Sequence, residues 1–274
     1  RSRGLGDVYK RQPLRLNQKT SEMGGTIFEG QDKIKMVVPC KLGRDDWDQY
    51  VIAEYVTYRM FNVLTPLSFR SRFVEATFLD ESGEDDPFTR YAFLLEDDSD
   101  LAKRNEGIKE DRENWEEAPV HPVLLEKNYA ILMELFQFMI GNTDWSGVQM
   151  HNVQLFRDRN GTPYPVPFDF DFSGLVDARY AAPDPRLPIQ DVRQRFFKGF
   201  CPDQMNRLPG QYKGAYDLFL EKRDQIYNLW RTQEGLAPDR LEETLEYLDE
   251  FYKILENSDR IQREILDQCY RFGG

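Results

Sequence analysis

The chain has 274 residues, 40% of them hydrophobic and 14% aromatic, which is ample for one large domain or two lobes around a packed core. Its 48 acidic residues against 36 basic ones leave a net charge of −12, which excludes a nucleic-acid surface built on broad positive potential. No run approaches the roughly 20 apolar residues that span a bilayer, so no membrane span is expected.

The opening residues, R-S-R-G-L-G-D-V-Y-K-R-Q, lack the apolar centre of a signal peptide. Arg1 to Gln12 resembles a translated sequencing adapter joined to environmental DNA, so residues 1–12 are expected to be non-native and the true start to lie upstream. Cys40, Cys201 and Cys269 sit far apart with no C-x-x-C spacing. They are expected to be structural thiols, forming neither a zinc site nor a disulfide framework.

From Pro13 to Pro39, the segments L-R-L-N, G-G-T-I-F-E-G and K-I-K-M-V-V-P read as short antiparallel strands between glycines. In the third, Lys33 and Lys35 share one face, which is either a solvated edge or a ligand-facing surface. Asp45 to Leu64 has apolar residues at helical spacing and acidic residues in its first turn, and predicts a helix. Glu54 falls in the middle of that helix. It is either exposed on the polar face or buried beside a cation such as a strand lysine.

S-F-R-S-R-F-V-E-A-T-F-L-D and T-R-Y-A-F-L-L-E-D, joined by E-S-G-E-D-D-P, predict a hairpin. Ser99 to Pro122 is charged and poor in apolar residues, and reads as a solvated connection. Leu124 to Ile140 is apolar on most faces, as in a buried central helix. Further on, I-Q-D-V-R-Q-R-F-F-K-G-F reads as helical between proline breaks. Tyr212 to Gln233, Asp239 to Leu255 and Ser258 to Tyr270 read as closing amphipathic helices.

Most of the functional information lies between Phe138 and Tyr180. After the buried helix, Asn142-Thr143-Asp144 emerges as a loop, which frees Asp144 to accept or orient a hydroxyl proton. His151-Asn152 opens the strand V-Q-L-F, R-D-R-N-G reverses the chain, and Y-P-V-P-F brings Asp169 back beside Asn152. A carboxylate and an amide oxygen converging there suit Mg²⁺, a hard cation that keeps waters and substrate phosphates among its ligands. Asp171 in D-F-D adds a second carboxylate. His151 reads as orienting the loop by a hydrogen bond; Trp145, Tyr164 and Phe170 read as packing aromatics.

The order helix, loop Asp, Asn, hairpin, Asp is that of a protein-kinase-like C-lobe. G-N-T-D followed by H-N and D-F-D resembles the catalytic and metal-binding loops of HipA-type and phosphatidylinositol-kinase-like enzymes. The layout from L-R-L-N and F-E-G-Q-D-K-I-K-M-V through E-Y-V-T-Y-R, S-F-R-S-R-F-V, Y-A-F-L-L-E-D and P-V-P-F-D-F-D-F-S-G resembles the spore-coat protein H (CotH) kinase-like group, over roughly Pro13 to Tyr180.

The resemblance implies an α+β, protein-kinase-like fold. Residues 13–98 would form a small antiparallel-sheet N-lobe with one helix, residues 99–122 a connection, and residues 123–274 a mainly helical C-lobe. It implies ATP and Mg²⁺ (or Mn²⁺) as cofactors, with Asp144 as the catalytic-loop Asp. Asn152 and Asp169 would bind metal, with Asp171 a second acidic ligand or a stabiliser. Lys35, with Lys33 as the alternative, would contact the α and β phosphates, held by Glu54 as an ion pair. Glu96 falls where the segment meeting the adenine is expected.

Two features depart from the pattern. Asp144 and Asn152 are eight positions apart, wider than the H-R-D-x-x-x-x-N spacing of protein kinases. A Gly-rich phosphate loop is either reduced to Gly24-Gly25 or lies upstream. The activity implied is transfer of the ATP γ-phosphate to a hydroxyl on a protein. The rival expectations are a catalytically inactive binding or scaffold protein and a nucleotidyl (AMP) transferase.

Overall fold

Four strands, β1 (Leu14–Asn17), β2 (Lys33–Val37), β3 (Ser71–Phe78) and β4 (Phe88–Leu95), form an antiparallel sheet in the order β1-β2-β4-β3. The computed structural model describes residues 14–26, 28–41, 44–84, 86–110 and 121–271. The sequence assignment to residues 1–12, like the end of the connection at 111–120, lies outside them.

In the sheet Lys35 stands opposite Leu95, and Phe73 opposite Phe93. Because side chains alternate along a strand, Lys35, Leu95, Phe93 and Phe73 share one face. Helix α1 (Asp48–Leu64) covers that face: the Tyr55 ring lies 5.1 Å from Phe73 and the Tyr58 ring 5.6 Å from Phe93. The helix stops where Thr65 turns to extended backbone ahead of Pro66, as the residue before a proline is pushed to do. G-G-T-I-F-E-G is not a strand. Its described residues are turns, with Gly25 and Gly30 at left-handed φ of 74° and 83°, a conformation that breaks a ladder.

Beyond the sheet, a short helix α2 (Asp98–Arg104) is capped by the Asp97 carboxylate, which accepts the Ser99 N–H. Strand β5 (Ile108–Lys109) then joins β6 (Val153–Arg157) and β7 (Pro163–Pro167) in a second antiparallel sheet, ordered β5-β6-β7. Pro163, Pro165 and Pro167 have no N–H to donate, so the bonds that β7 donates to β6 come from Tyr164 and Val166. The prolines leave the outer edge without donors.

Helix α3 (Lys127–Ile140) is buried at every residue from Tyr129 to Ile140. It packs against β7 and against α4 (Pro209–Arg231), which also meets α1. Core substitutions such as Phe136→Ala are expected to cost about 3–5 kcal/mol. Gly141 ends α3 at a left-handed φ of 65°, and a Cβ there would collide with the Tyr247 hydroxyl of α5 (Pro238–Leu255).

Three other expectations are corrected. I-Q-D-V-R-Q-R-F-F-K-G-F forms turns, not a helix, because its side chains bond elsewhere: the Arg195 guanidinium donates to the Met139 and Tyr247 carbonyls while Phe197 enters the core. Ser258 to Tyr270 is one short helix, α6 (Ser258–Ile261), a π-helical turn at Gln262–Leu266, and an isolated bridge from Tyr270 to Phe200. That bridge brings together Cys201 and Cys269, 68 residues apart in the chain, which form a disulfide with Cα atoms 4.9 Å apart. Sequence spacing cannot report such a pairing.

Candidate functional site

The end of α3 sets the geometry. The D-F-S-G segment docks on its last carbonyls, with the Gly174 N–H donating to Gly141 O at 3.2 Å and the Leu175 N–H to Ile140 O at 2.9 Å. Asp169 to Phe172 is thereby pinned beside the loop that leaves α3. In that loop the buried Asn142 side chain accepts the Asp144 N–H at 2.9 Å.

The wide Asp144–Asn152 spacing does not separate the two residues. Ser146 and His151 exchange backbone hydrogen bonds at 3.0 and 3.2 Å, closing the extra residues into a miniature hairpin. Asn152 Nδ2 then donates to the Asp144 carbonyl at 2.7 Å and to its Oδ2 at 3.1 Å, while His151 Nε2 sits 3.0 Å from Oδ1. Both Asp144 oxygens are therefore oriented. The Lys198 ammonium clamps the same loop from the other side, donating to the Thr143 and Trp145 carbonyls at 2.6 and 2.8 Å. Burial lowers the Lys198 pKa, and the neighbouring Asp184 and Asp144 oppose that fall.

Strand register carries Asp169 to the same place. Val153 pairs with Pro167, and the Phe168 N–H donates to the Asn152 carbonyl at 3.0 Å, so Asp169 follows directly beside Asn152. The Asp169 N–H donates to the Tyr58 hydroxyl of α1 at 2.9 Å. Met150, Asn152 and Asp169 all have left-handed φ, at 50°, 52° and 63°. Such strained backbone persists where surrounding structure over-determines it and clusters at functional sites.

Glu54 is buried at 6% exposure, and the nearby Phe170 backbone favours its ionised form. Its carboxyl is pushed well above the usual carboxylate range by burial, then by Asp171 and Asp169, with Lys35 pulling it back. Asp171 is pushed up to about 6, first by burial and next by Asp169. The nearby Tyr180 hydroxyl and Lys35 pull the other way, while Asp144 adds to the rise. Glu54, Asp144, Asp169 and Asp171 thus share one electrostatic neighbourhood, in which Lys35 is the cation.

Lys35 takes part through the field alone. Among the described contacts it makes no ion pair with Glu54 within 4.0 Å, so the close pair expected from the sequence is not formed. Lys33 is exposed. Glu96 stands apart as well. Its carboxylate is held by Arg104 through two bonds of 2.9 Å and accepts the Arg70 N–H at 3.0 Å, an arrangement that ties α2 to the sheet.

Sequence reasoning missed Tyr58, Tyr180 and Lys198. No local signal marks them, because each contributes one polar atom from an otherwise ordinary packing environment. Among the described residues, no three His, Cys, Asp or Glu side chains are grouped closely enough to hold a metal by themselves. A groove of about 610 Å³ lies elsewhere, between α1 and β3, and none of the clustered residues lines it.

No family model matches the chain, and no curated protein matches it. Among solved structures it is similar to HipA of Shewanella oneidensis MR-1, in a toxin–antitoxin complex with HipB and its operator DNA, at 14% identity and a TM-score of 0.41. The overlap covers 86% of this chain and 59% of that one, the relation of a distant structural neighbour. Among the described residues, no helix is long and apolar enough to cross a membrane.

Proposed function

We propose that this protein is a two-lobed, kinase-like phosphotransferase that moves the γ-phosphoryl group of ATP to a hydroxyl, with a protein as the acceptor. The observation that carries this reading is the double hydrogen bond from Asn152 to Asp144, beside Asp169. Asp144, Asn152 and Asp169 stand in the order in which a phosphoryl-transfer site uses a proton acceptor and two oxygen ligands, which supports this reading.

A divalent cation fits the donor set. Asp169 and Asp171 offer hard carboxylate oxygens, and Asn152, whose Nδ2 is engaged by Asp144, keeps its Oδ1 available. Two carboxylates and an amide oxygen are fewer ligands than a protein-only cage needs, but they suit Mg²⁺, which completes its shell with waters and phosphate oxygens. Burial, followed by repulsion among the neighbouring carboxylates, raises the pKa of Asp171 and Glu54. Bound Mg-ATP would supply the phosphoryl group and neutralise its charge.

Asp144 would orient the acceptor hydroxyl and take its proton as the new O–P bond forms and the bond to the β-phosphate oxygen breaks. Lys35 would meet the α and β phosphates. The test is transfer from γ-labelled ATP with Mg²⁺, with mass spectrometry to distinguish added phosphate from AMP. Loss of transfer in Asp144→Ala and in Asp169→Ala is expected; full activity in either overturns the assignment.

One observation favours a second reading, a catalytically silent nucleotide binder: Lys35 and Glu54 are not closed into an ion pair. Under that reading ATP with Mg²⁺ raises the melting temperature while no phosphate is transferred.

A further inference from the structure

The groove of about 610 Å³ between α1 and the start of β3 is unusual in an acidic chain because arginines line it: Arg59, Arg70, Arg72 and Arg104, over a floor of Tyr55 and Phe73. Arg104 is engaged, paired with Glu96 and donating to the Pro66 and Ser68 carbonyls, so it braces the wall. The other three differ. Arg59 donates only to the Tyr55 hydroxyl at 2.9 Å, and neither it nor the exposed Arg70 and Arg72 has a carboxylate within ion-pair distance among the described residues. Elsewhere in this chain arginines commonly have acidic partners, as Arg157, Arg186, Arg207 and Arg260 do. Three arginines left without one beside a single sheet edge are a concentration of positive charge against a net charge of −12.

The backbone beside them is also open. β3 is the outermost strand of its sheet, bonded to β4 on one side only, so the N–H and C=O groups along its other edge pair with no described strand. Phe73 faces α1, as its 5.1 Å contact with Tyr55 shows, and by alternation Arg72 faces the opposite side. Arginines therefore flank the edge on both faces. Ser71 Oγ, on the α1 side, is buried with no hydrogen-bond partner.

We propose that this edge is a docking site for an extended acidic segment of a partner protein. The segment adds as a strand to β3 and places carboxylates on both sides, against Arg59 on one and Arg70 and Arg72 on the other. Main-chain bonds to a sheet edge supply affinity in such additions, and opposite charges across adjacent strands supply register and selectivity. The site is separate from the acidic cluster and does not depend on phosphate transfer.

The test uses the full chain and a fluorescein-labelled peptide with a central Glu-Glu-Glu run flanked by Thr and Val, read by fluorescence anisotropy at low salt. Saturable binding is expected, at least about tenfold weaker in Arg59→Gln/Arg72→Gln, with Arg15→Gln on the opposite edge strand binding as the parent does. The urea midpoint of each variant verifies its fold. Four results overturn the proposal: no saturable binding; equal binding of a Lys-for-Glu peptide; unchanged affinity in the double variant; or undiminished binding of a peptide N-methylated at alternate amides. Displacement by inorganic tripolyphosphate as effective as by unlabelled peptide overturns it too, marking a small-anion site.

Discussion

Asn152 donates its side-chain amide to both the main-chain carbonyl and the carboxylate of Asp144, at 2.7 and 3.1 Å, across an eight-residue separation. The Ser146–His151 bridge makes this possible by returning the chain to its starting point before β6 begins. The two residues act as one unit, so a change at either is expected to disturb both.

Asn152 has a left-handed φ of 52°, a conformation that Asn tolerates and Ala resists. Asn152→Ala is expected to lower stability by about 1–2 kcal/mol for the backbone, with the lost hydrogen bonds adding to it. Asn152→Gly restores the backbone freedom, so its deficit should be smaller. Urea denaturation of the two variants separates strain from bonding. In both, stabilisation by Mg-ATP should disappear.

The acidic cluster sets a pH dependence. Asp171 has its folded-state pKa raised to about 6, and Glu54 is raised well above its ordinary value, so the folded protein binds more protons than the unfolded chain from about pH 4 upward. Stability must then fall as pH rises through that window and level off above the folded pKa values. The contribution of Asp171 to this fall is expected between about pH 4 and 6. Urea midpoints across pH check it: Asp171→Asn should flatten that slope, and a slope unchanged in Asp171→Asn would show that its carboxyl titrates normally.

A divalent cation should reverse the same effect. If Asp169 and Asp171 hold Mg²⁺, its presence at about 100 times Kd stabilises the fold by on the order of 2–3 kcal/mol at neutral pH, and EDTA removes the gain. The gain should shrink below about pH 6 as Asp171 protonates. A cation response identical in Asp169→Asn would exclude these ligands.

The Arg207–Glu134 pair is buried, with side chains 1% and 0% exposed and contacts of 2.6 and 2.8 Å. Burial raises the Glu134 pKa against the pull of Arg207, so the pair sits where lone charges are costly. Arg207→Met alone is expected to cost about 3–5 kcal/mol, whereas Arg207→Met/Glu134→Leu should recover most of it. Denaturant midpoints give both values.

Reduction of Cys201–Cys269 opens a loop spanning 68 residues and should lower stability by up to about 4 kcal/mol on the loop-entropy model. Cys201→Ser/Cys269→Ser should show the same loss without reductant and no further response to it. Equal stability of reduced and oxidised protein would contradict the pairing.

Periodicity made the large elements legible. Asp45 to Leu64, the hairpin around E-S-G-E-D-D-P, the buried helix ending at Ile140 and the V-Q-L-F/Y-P-V-P-F pair all express a repeat that burial enforces within one segment. The R-D-R-N-G turn also announced that Asp169 would return beside Asn152, since hairpin register is a local property. I-Q-D-V-R-Q-R-F-F-K-G-F misled for the converse reason: its spacing is helical, but Arg195 and Phe197 bond and pack with distant segments, and tertiary contacts override a weak local preference.

What the sequence by itself determined, then, was which residue types stand in which order around α3 and the following hairpin, because both elements are encoded by neighbours. Only the tertiary structure decided that the eight-residue loop folds back on itself and that Lys35 reaches the acids without closing on Glu54. It alone decided that Tyr58 and Tyr180 support Asp169 and Asp171, and that Cys201 meets Cys269. These contacts are set by how the core packs and by where buried polar atoms find partners, and no periodic pattern of residues encodes them.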